Sequence, residues 1–174
     1  GSGKSPAAAN VANLRDRGVE QIEVETPHAV NVPGAIAAWT RLNTDYGTKD
    51  LAELLQPAIN YAKNGFPVAP RVALDWTDNL PKLLGDEVSS KILTVSGEAP
   101  KAGTKFAQPL LGTTLEAIAK GGRDAFYTGE IAEDMVTRLN KLGGLHTLDD
   151  FASCAADYVE PISLSYKNHT INEC

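Results

Sequence analysis

Residues 121–162 read GGRDAFYTGEIAEDMVTRLNKLGGLHTLDDFASCAADYVEPI, and this stretch carries the densest local structural signals in the chain. The glycines that open it predict the end of one helix, and Gly143-Gly144 predict the end of the next. Glycine readily adopts the left-handed conformation that closes a helix. Between the two stops, apolar residues recur at the spacing of one amphipathic helical face. These residues are Ile131, Met135, Leu139 and Leu142.

Capping patterns refine the boundaries within the same stretch. Thr128 is predicted to cap the start of the amphipathic helix, and Thr147 with Asp150 has the spacing of a capping box before a short helix at 148–153. We expect Phe126 and Tyr127 to be core anchors that hold neighbouring helices together. Alternation then predicts a strand from residue 162, with a turn at 167–169 into a second short strand. The strand's apolar residues are Ile162, Leu164 and Tyr166.

Weaker signals come before this stretch, in residues 1–32. Ser5 followed by proline predicts a helix that begins there and ends at Gly18. Alternation at residues 21–25 and 30–32 predicts two short strands. Glu23 and Glu25 then fall on the solvent face of the first strand, an interpretation we prefer to a catalytic carboxylate pair.

The central region is predicted to be helical. One helix opens at Pro33 and ends at Gly47. Pro57 should split the apolar run at 51–64 into two helices, because proline lacks an N–H and clashes with the preceding turn. Residues 66–108 are less regular, with an extended segment at 66–70, helices near 72–79 and 86–93, and a loop at 96–106. Thr113 and Glu116 then have the spacing of a capping box for a helix that ends at Gly121-Gly122.

These elements predict a mainly α fold with a short β-hairpin at the C-terminal end, an α+β class. We expect a single domain over 1–174, with an N-terminal helix and short strands at 1–32, a helical region at 33–158 and a strand or hairpin at 159–174. The chain has 174 residues, of which 43% are hydrophobic and 22% are charged. That balance is typical of a folded globular protein.

Charge and hydropathy argue against several kinds of partner. The formal net charge is −6 and no basic cluster is present, so neither nucleic acid nor an anionic membrane surface is expected to bind. The apolar runs are too short for a transmembrane span. Gly3-Lys4-Ser5 matches only the end of a phosphate-binding loop, which makes nucleotide binding a distant third hypothesis. Because the first residue is Gly1, we expect a processed, truncated or recombinant product.

The titratable residues do not form a recognisable active site. His28, His146 and His169 lie far apart, and we predict each to be solvated or to cap a helix. Cys154 and Cys174 have no metal-site spacing, and we prefer two ordinary thiols, although a disulfide between them is possible. We therefore predict no catalytic residue, metal site or cofactor, and leave the substrate-binding residues undefined.

Arg123 and Asp124 are the weak exception. The pair could bind an anion, although an internal salt bridge that fixes the turn is the preferred interpretation.

Four segments of the chain resemble the γ-glutamyltranspeptidase family. Residues 32–47 are similar to its VPGA…W…L…YG segment, and LAELLQPAINYAKNGFPV at 51–68 is similar to its L…L..PAI..A..GFPV segment. Residues 106–131 resemble QP.LA.TL..IA..G.DAFY.G.IA, and residues 143–161 resemble GG..T..D…P. The resemblance spans roughly residues 27–173 in order.

The resemblance implies an N-terminal-nucleophile hydrolase with an αββα sandwich, made as a precursor that cuts itself into large and small subunits. The small subunit's N-terminal Thr would attack γ-glutamyl amides such as glutathione and pass the acyl group to water, amino acids or peptides. None of the family's catalytic residues falls on a position of this chain. The chain would then be an internal, non-catalytic fragment of the large subunit. Its partners would be the rest of that subunit and the small subunit, with the γ-glutamyl substrate reached only through the parent.

Two alternatives stay open at this stage. The parent could be a cephalosporin-type acylase, or the chain could be a stand-alone helical binding module. Family resemblance implies a periplasmic or extracellular location.

Overall fold

The computed structural model describes residues 3–173 and is 54% helical. The helices α1 to α9 are Val11–Asp16, Ala35–Tyr46, Leu51–Asn64, Pro70–Asp78, Leu80–Leu84, Glu87–Leu93, Pro109–Tyr127, Glu130–Lys141 and Leu148–Ala152, and a 3₁₀ helix spans Pro27–Ala29. The strands β1 to β4 are Phe66–Pro67, Lys105–Phe106, Ile162–Tyr166 and His169–Glu173. The predicted mainly α fold with a C-terminal hairpin is confirmed.

Backbone packing divides the chain into two compact units. Unit 1 comprises residues 1–45 and 132–174, and unit 2 comprises residues 46–131. The single-domain organisation, with its boundaries after residues 32 and 158, stays a prediction.

Unit 2 is built on the packing of α3 against α7. The buried residues of the two helices are Leu55, Ile59, Ala62, Gly112, Ile118 and Tyr127. Gly112 permits a close approach at the crossing, because a Cβ added there would lie 2.5 Å from Cγ of Lys63. The side chain of Lys63 extends across α7 and forms an ion pair there, with its Nζ 2.5 Å from Oε1 of Glu116. Beside this pair of helices, β1 and β2 form a two-residue antiparallel ladder.

Pro57 does not interrupt α3, so the predicted break is wrong. The helix runs continuously over Leu51–Asn64 with Pro57 inside it. Pro57 lies on the exposed side, where water can satisfy the carbonyl that has lost its N–H partner. Leu55 and Ile59 stay in register against the unit's core, and this packing offsets the local cost of the proline.

The predicted start of α7 is also wrong. The helix begins at Pro109, so Thr113 lies inside it and its hydroxyl donates to the Pro109 carbonyl at 3.3 Å. The predicted stop at the glycine pair corresponds to a real kink, because Gly122 has φ 60° and ψ −143°. Helical turns then resume as far as Tyr127. Thr128 donates its hydroxyl to the Asp124 carbonyl at 2.8 Å, so it closes α7 instead of capping α8 as predicted.

In unit 1 the N-terminal helix begins later than predicted. Asn10 caps α1 by accepting from the Asn13 amide at 3.0 Å. Ser5 is not the cap, and its hydroxyl donates to Oδ1 of Asn31 at 3.2 Å. The segment before α1 is thus held by tertiary contacts that a local pattern does not reveal. The predicted end at Gly18 is confirmed, since its φ of 76° is left-handed.

The predicted strands at 21–25 and 30–32 are wrong. Irregular backbone, a turn at residues 24–25 and the 3₁₀ helix occupy this region. A short alternating run forms a strand only when another strand pairs with it, and no ladder involves these residues in the described structure. Glu23 and Glu25 are exposed, as expected.

The buried face of α8 is not the one that the sequence predicts. Ala132 and Val136 are its buried residues, Ile131, Met135 and Leu139 are half-buried, and Leu142 is exposed. Gly143 ends the helix as predicted, with φ 92°.

The C-terminal hairpin pairs β3 with β4 in an antiparallel register that places Leu164 opposite Ile171. Every residue of both strands is exposed.

Candidate functional site

The predicted Arg123–Asp124 pair lies just after the kink in α7. Nη1 of Arg123 donates to Oδ1 of Asp124 at 2.8 Å, so the expected internal salt bridge is present. The guanidinium also stacks 5.1 Å from the ring centroid of Tyr127. An incoming anion would compete with the Asp124 carboxylate for this guanidinium. Anion binding by the pair stays a prediction.

Tyr127 is the anchor beneath this pair. Its side chain is fully buried and meets the half-buried Phe126 edge-on, with the ring centroids 4.9 Å apart. The predicted core role is confirmed for Tyr127. The packing of Tyr127 against Phe126 and Arg123 therefore fixes the conformation of the C-terminal end of α7.

His146 is the titratable residue that sequence reasoning placed wrongly. It was predicted to be solvated or capping, but it is 2% exposed and its Nε2 lies 2.8 Å from the Val30 carbonyl oxygen. That contact requires a proton on Nε2, because a carbonyl can only accept. Its Nδ1 is buried and makes no hydrogen bond within the described chain.

The sequence does contain a signal for the burial of His146. The residue directly precedes the Thr147 cap, and Phe151 lies four positions after that cap. These two positions form a hydrophobic staple at a helix start. The rings of His146 and the fully buried Phe151 lie 6.4 Å apart.

Asp150 joins the start of α9 to the N-terminal segment. The predicted capping box is confirmed, with Thr147 donating to Oδ2 from its amide at 2.9 Å and from its hydroxyl at 2.7 Å. The amide of Ala7 donates to Oδ1 at 2.8 Å. Partial burial alone would raise the pKa of Asp150, but hydrogen bonds from Ala7 and Thr147 and the charge of His146 outweigh it. The pKa of the carboxyl is therefore lowered.

Replacing Asp150 by asparagine is expected to lower the free energy of unfolding by about 1–2 kcal/mol at pH 7. Both carboxylate oxygens accept hydrogen bonds, and an amide can keep an acceptor on one side only. Because the folded pKa is lowered, the contribution is complete above the unfolded pKa of about 3.9 and is lost as pH falls through the folded value. Urea unfolding at pH 7 and at pH 3 should show the difference from wild type shrinking in acid.

Asp149→Asn is the matched control, since Asp149 is exposed in the same helical turn. We expect it to change the unfolding energy by less than about 0.5 kcal/mol. An Asp150 variant as stable as the Asp149 variant at pH 7 would contradict the assigned hydrogen bonds.

The remaining candidate residues do not assemble into a site. His28 is half-buried at the end of the 3₁₀ helix, and His169 is exposed in β4. Cys154 is buried with Sγ 3.8 Å from the Pro33 carbonyl oxygen. Cys174 lies outside the described residues, so the pairing of the two cysteines is not tested. Within residues 3–173, no group of three or more His, Cys, Asp or Glu side chains could hold a metal ion.

Each unit also has a surface cavity. A cleft of about 630 Å³ in unit 1 is lined by Asp150 and Cys154 among mostly small residues. An open groove of about 580 Å³ in unit 2 runs beside Glu87 and Lys91. Both oxygens of the Asp150 carboxylate already accept hydrogen bonds from Ala7 and Thr147, so Asp150 is not a free base in the unit 1 cleft.

Comparison with known proteins defines the class of protein. A family profile described as gamma-glutamyltranspeptidase matches residues 1–174. The glutathione hydrolase-like YwrD proenzyme of Bacillus subtilis (strain 168) is 35% identical over 143 residues, which cover 82% of this chain and 27% of that protein. The chain belongs to the γ-glutamyltranspeptidase family.

Solved structures agree with this assignment. The γ-glutamyltranspeptidase of Helicobacter pylori superposes with a TM-score of 0.89 at 28% identity, covering 98% of this chain and 50% of that one. The cephalosporin acylase of Bacillus halodurans superposes with a TM-score of 0.92 at 32% identity, covering 99% of this chain and 33% of that one. The neighbours are thus N-terminal-nucleophile hydrolases of two related kinds.

The chain spans about a quarter of the length of the curated relatives it matches, and these relatives include proenzymes. Among residues 3–173, no helix combines the length and apolar character needed to cross a bilayer.

Proposed function

We propose that this chain is a non-catalytic part of the large subunit of a γ-glutamyltranspeptidase-like enzyme. The rest of the large subunit and a small subunit carrying an N-terminal Thr nucleophile would complete it. The whole enzyme would cleave γ-glutamyl amides such as glutathione and transfer the acyl group to water, amino acids or peptides. Family membership and the small share of each relative that the chain covers support this role.

The observation that carries the proposal is the exposed apolar face of the hairpin. Alternation along antiparallel strands places its four apolar side chains on one face, because Leu164 and Ile171 are directly opposed. They are Ile162, Leu164, Tyr166 and Ile171, each more than half exposed. A contiguous apolar face beside unpaired strand edges is typical of a surface that further structure covers. It argues against a stand-alone binding module.

The test is an activity assay on the pure chain with a chromogenic γ-glutamyl anilide. We expect no turnover above the buffer rate, while the mature Escherichia coli glutathione hydrolase, assayed in parallel, releases the chromophore. The parent polypeptide that contains this chain should also be active. Turnover by the pure chain would overturn the non-catalytic role.

A cephalosporin-type acylase is the second candidate for the parent. The superposition on the Bacillus halodurans acylase, at 32% identity, favours it. An assay that supplies the parent polypeptide with both a γ-glutamyl anilide and a cephalosporin side-chain amide distinguishes the two candidate activities. Preferred cleavage of the cephalosporin amide would select the acylase.

A further inference from the structure

The segment 155–161 connects α9 to β3 within unit 1. It has no regular secondary structure, so side-chain contacts decide where it lies. The hairpin follows it directly. The direction in which the hairpin leaves the unit therefore depends on how this segment is held.

Tyr158 is the residue that ties the segment to a helix. Its hydroxyl donates to Oδ2 of Asp45 at 2.9 Å. Arg41, one turn earlier on α2, donates from Nε to the same oxygen at 2.5 Å. The guanidinium of Arg41 also lies 5.2 Å from the Tyr158 ring centroid, within range of a cation–π contact. Each of the three side chains thus contacts the other two.

We propose that Arg41, Asp45 and Tyr158 form a clasp that docks segment 155–161 on α2 and so fixes the direction in which the hairpin is presented. The three are positioning residues and have no part in chemistry. The clasp is a property of this chain alone and does not depend on the proposed enzyme function.

The electrostatics of the clasp agree with its geometry. Hydrogen bonds from Arg41 and then Tyr158 hold the pKa of the Asp45 carboxyl below its ordinary value, against the opposing effect of desolvation. The Asp45 carboxylate in turn raises the pKa of Arg41. Both shifts favour the ionised forms that the ion pair requires.

The chain provides a matched comparison on α4. Arg71 and Asp75 have the same spacing and form an ion pair with Nη2 and Oδ1 2.8 Å apart, and among residues 3–173 no aromatic ring joins them. Exposed ion pairs of this kind contribute little by themselves. What distinguishes the clasp is the third residue, which comes from a position 113 residues away.

Limited chymotrypsin digestion tests the clasp, with mass spectrometry following cleavage after residue 158. Tyr158→Phe keeps the protease site and the ring but removes the hydroxyl. We expect cleavage to become about 3–10-fold faster, since loss of one hydrogen bond raises the population of the locally open segment and cleavage follows that opening. Asp45→Ala should accelerate it at least as much. Tyr61→Phe and Asp75→Ala, in unit 2, should leave the rate unchanged.

Carbon-13 NMR titration of the Asp45 carboxyl gives a second readout. In Tyr158→Phe the pKa of Asp45 should move towards its ordinary value, while in Tyr61→Phe it should not move. Cleavage of Tyr158→Phe at the wild-type rate would overturn the proposal, as would equal acceleration by Asp75→Ala or an unmoved Asp45 titration in Tyr158→Phe. None of these measurements involves turnover, so failure here is distinct from failure of the proposed enzyme function.

Discussion

Replacing Tyr127 by alanine is expected to lower the free energy of unfolding by about 3–5 kcal/mol. The side chain is fully buried, meets the Phe126 ring edge-on and lies beneath the Arg123 guanidinium. Truncation removes these contacts and leaves a cavity at the end of α7. Urea unfolding followed by far-ultraviolet circular dichroism measures the loss.

Tyr61→Ala is the control for this change. Tyr61 is on α3 in the same unit but is 56% exposed, so its truncation should cost less than about 1 kcal/mol. Tyr127→Phe separates the hydroxyl from the ring and should cost about 1 kcal/mol. If Tyr127→Ala were no more destabilising than Tyr61→Ala, the core role of Tyr127 would be wrong.

Elements specified by neighbouring residues could be predicted from the sequence. The Thr147–Asp150 capping box, the helix end at Gly143 and the hairpin turn each depend on hydrogen bonds or φ values within a few positions. Local patterns are reliable where the interactions themselves are local.

Several errors arose where distant residues decide the local structure, whereas those at Thr113 and Thr128 involve hydrogen bonds to residues only four positions away. Ser5 would be a suitable cap, but it bonds to Asn31, and Asn10 caps the helix instead. Pro57 would break an isolated helix, but the packing of α3 against α7 keeps it continuous. Alternation at 21–25 had no partner strand to pair with. In the first two cases a tertiary contact outweighed a local preference, and in the third no partner strand is present among the described residues.

The sequence revealed less of the candidate site than of the fold. The family was identifiable from segments in register, and the Arg123–Asp124 salt bridge was expected from the position of the pair between two predicted helices. The spacing of Arg41 and Asp45 also suggests an ion pair. Tyr158, however, meets Asp45 from 113 positions away, and no periodicity connects them. The partner of His146 is similarly remote, at Val30.

Replacing Gly65 by alanine is expected to lower the free energy of unfolding by about 2–4 kcal/mol. Gly65 ends α3 with φ 81° and ψ 161°, a conformation that is essentially restricted to glycine. A Cβ there would lie 2.9 Å from the Phe106 carbonyl oxygen and 3.0 Å from Cγ of Lys105. The carbonyl belongs to the β1–β2 ladder, so relief of the contact requires a shift of paired backbone.

Gly18→Ala is the comparison for a glycine at positive φ that has no steric contact. Gly18 also follows a helix with a left-handed φ, of 76°, but a Cβ there would meet nothing within 4 Å. We therefore expect it to cost about 1 kcal/mol, and thermal unfolding of both variants should show the much larger loss for Gly65→Ala. Hydrogen exchange at the Phe106 amide should rise in Gly65→Ala alone, because the contact acts on the ladder. Equal destabilisation by the two substitutions would show that conformation alone, and not the approach of Phe106, explains the glycine at position 65.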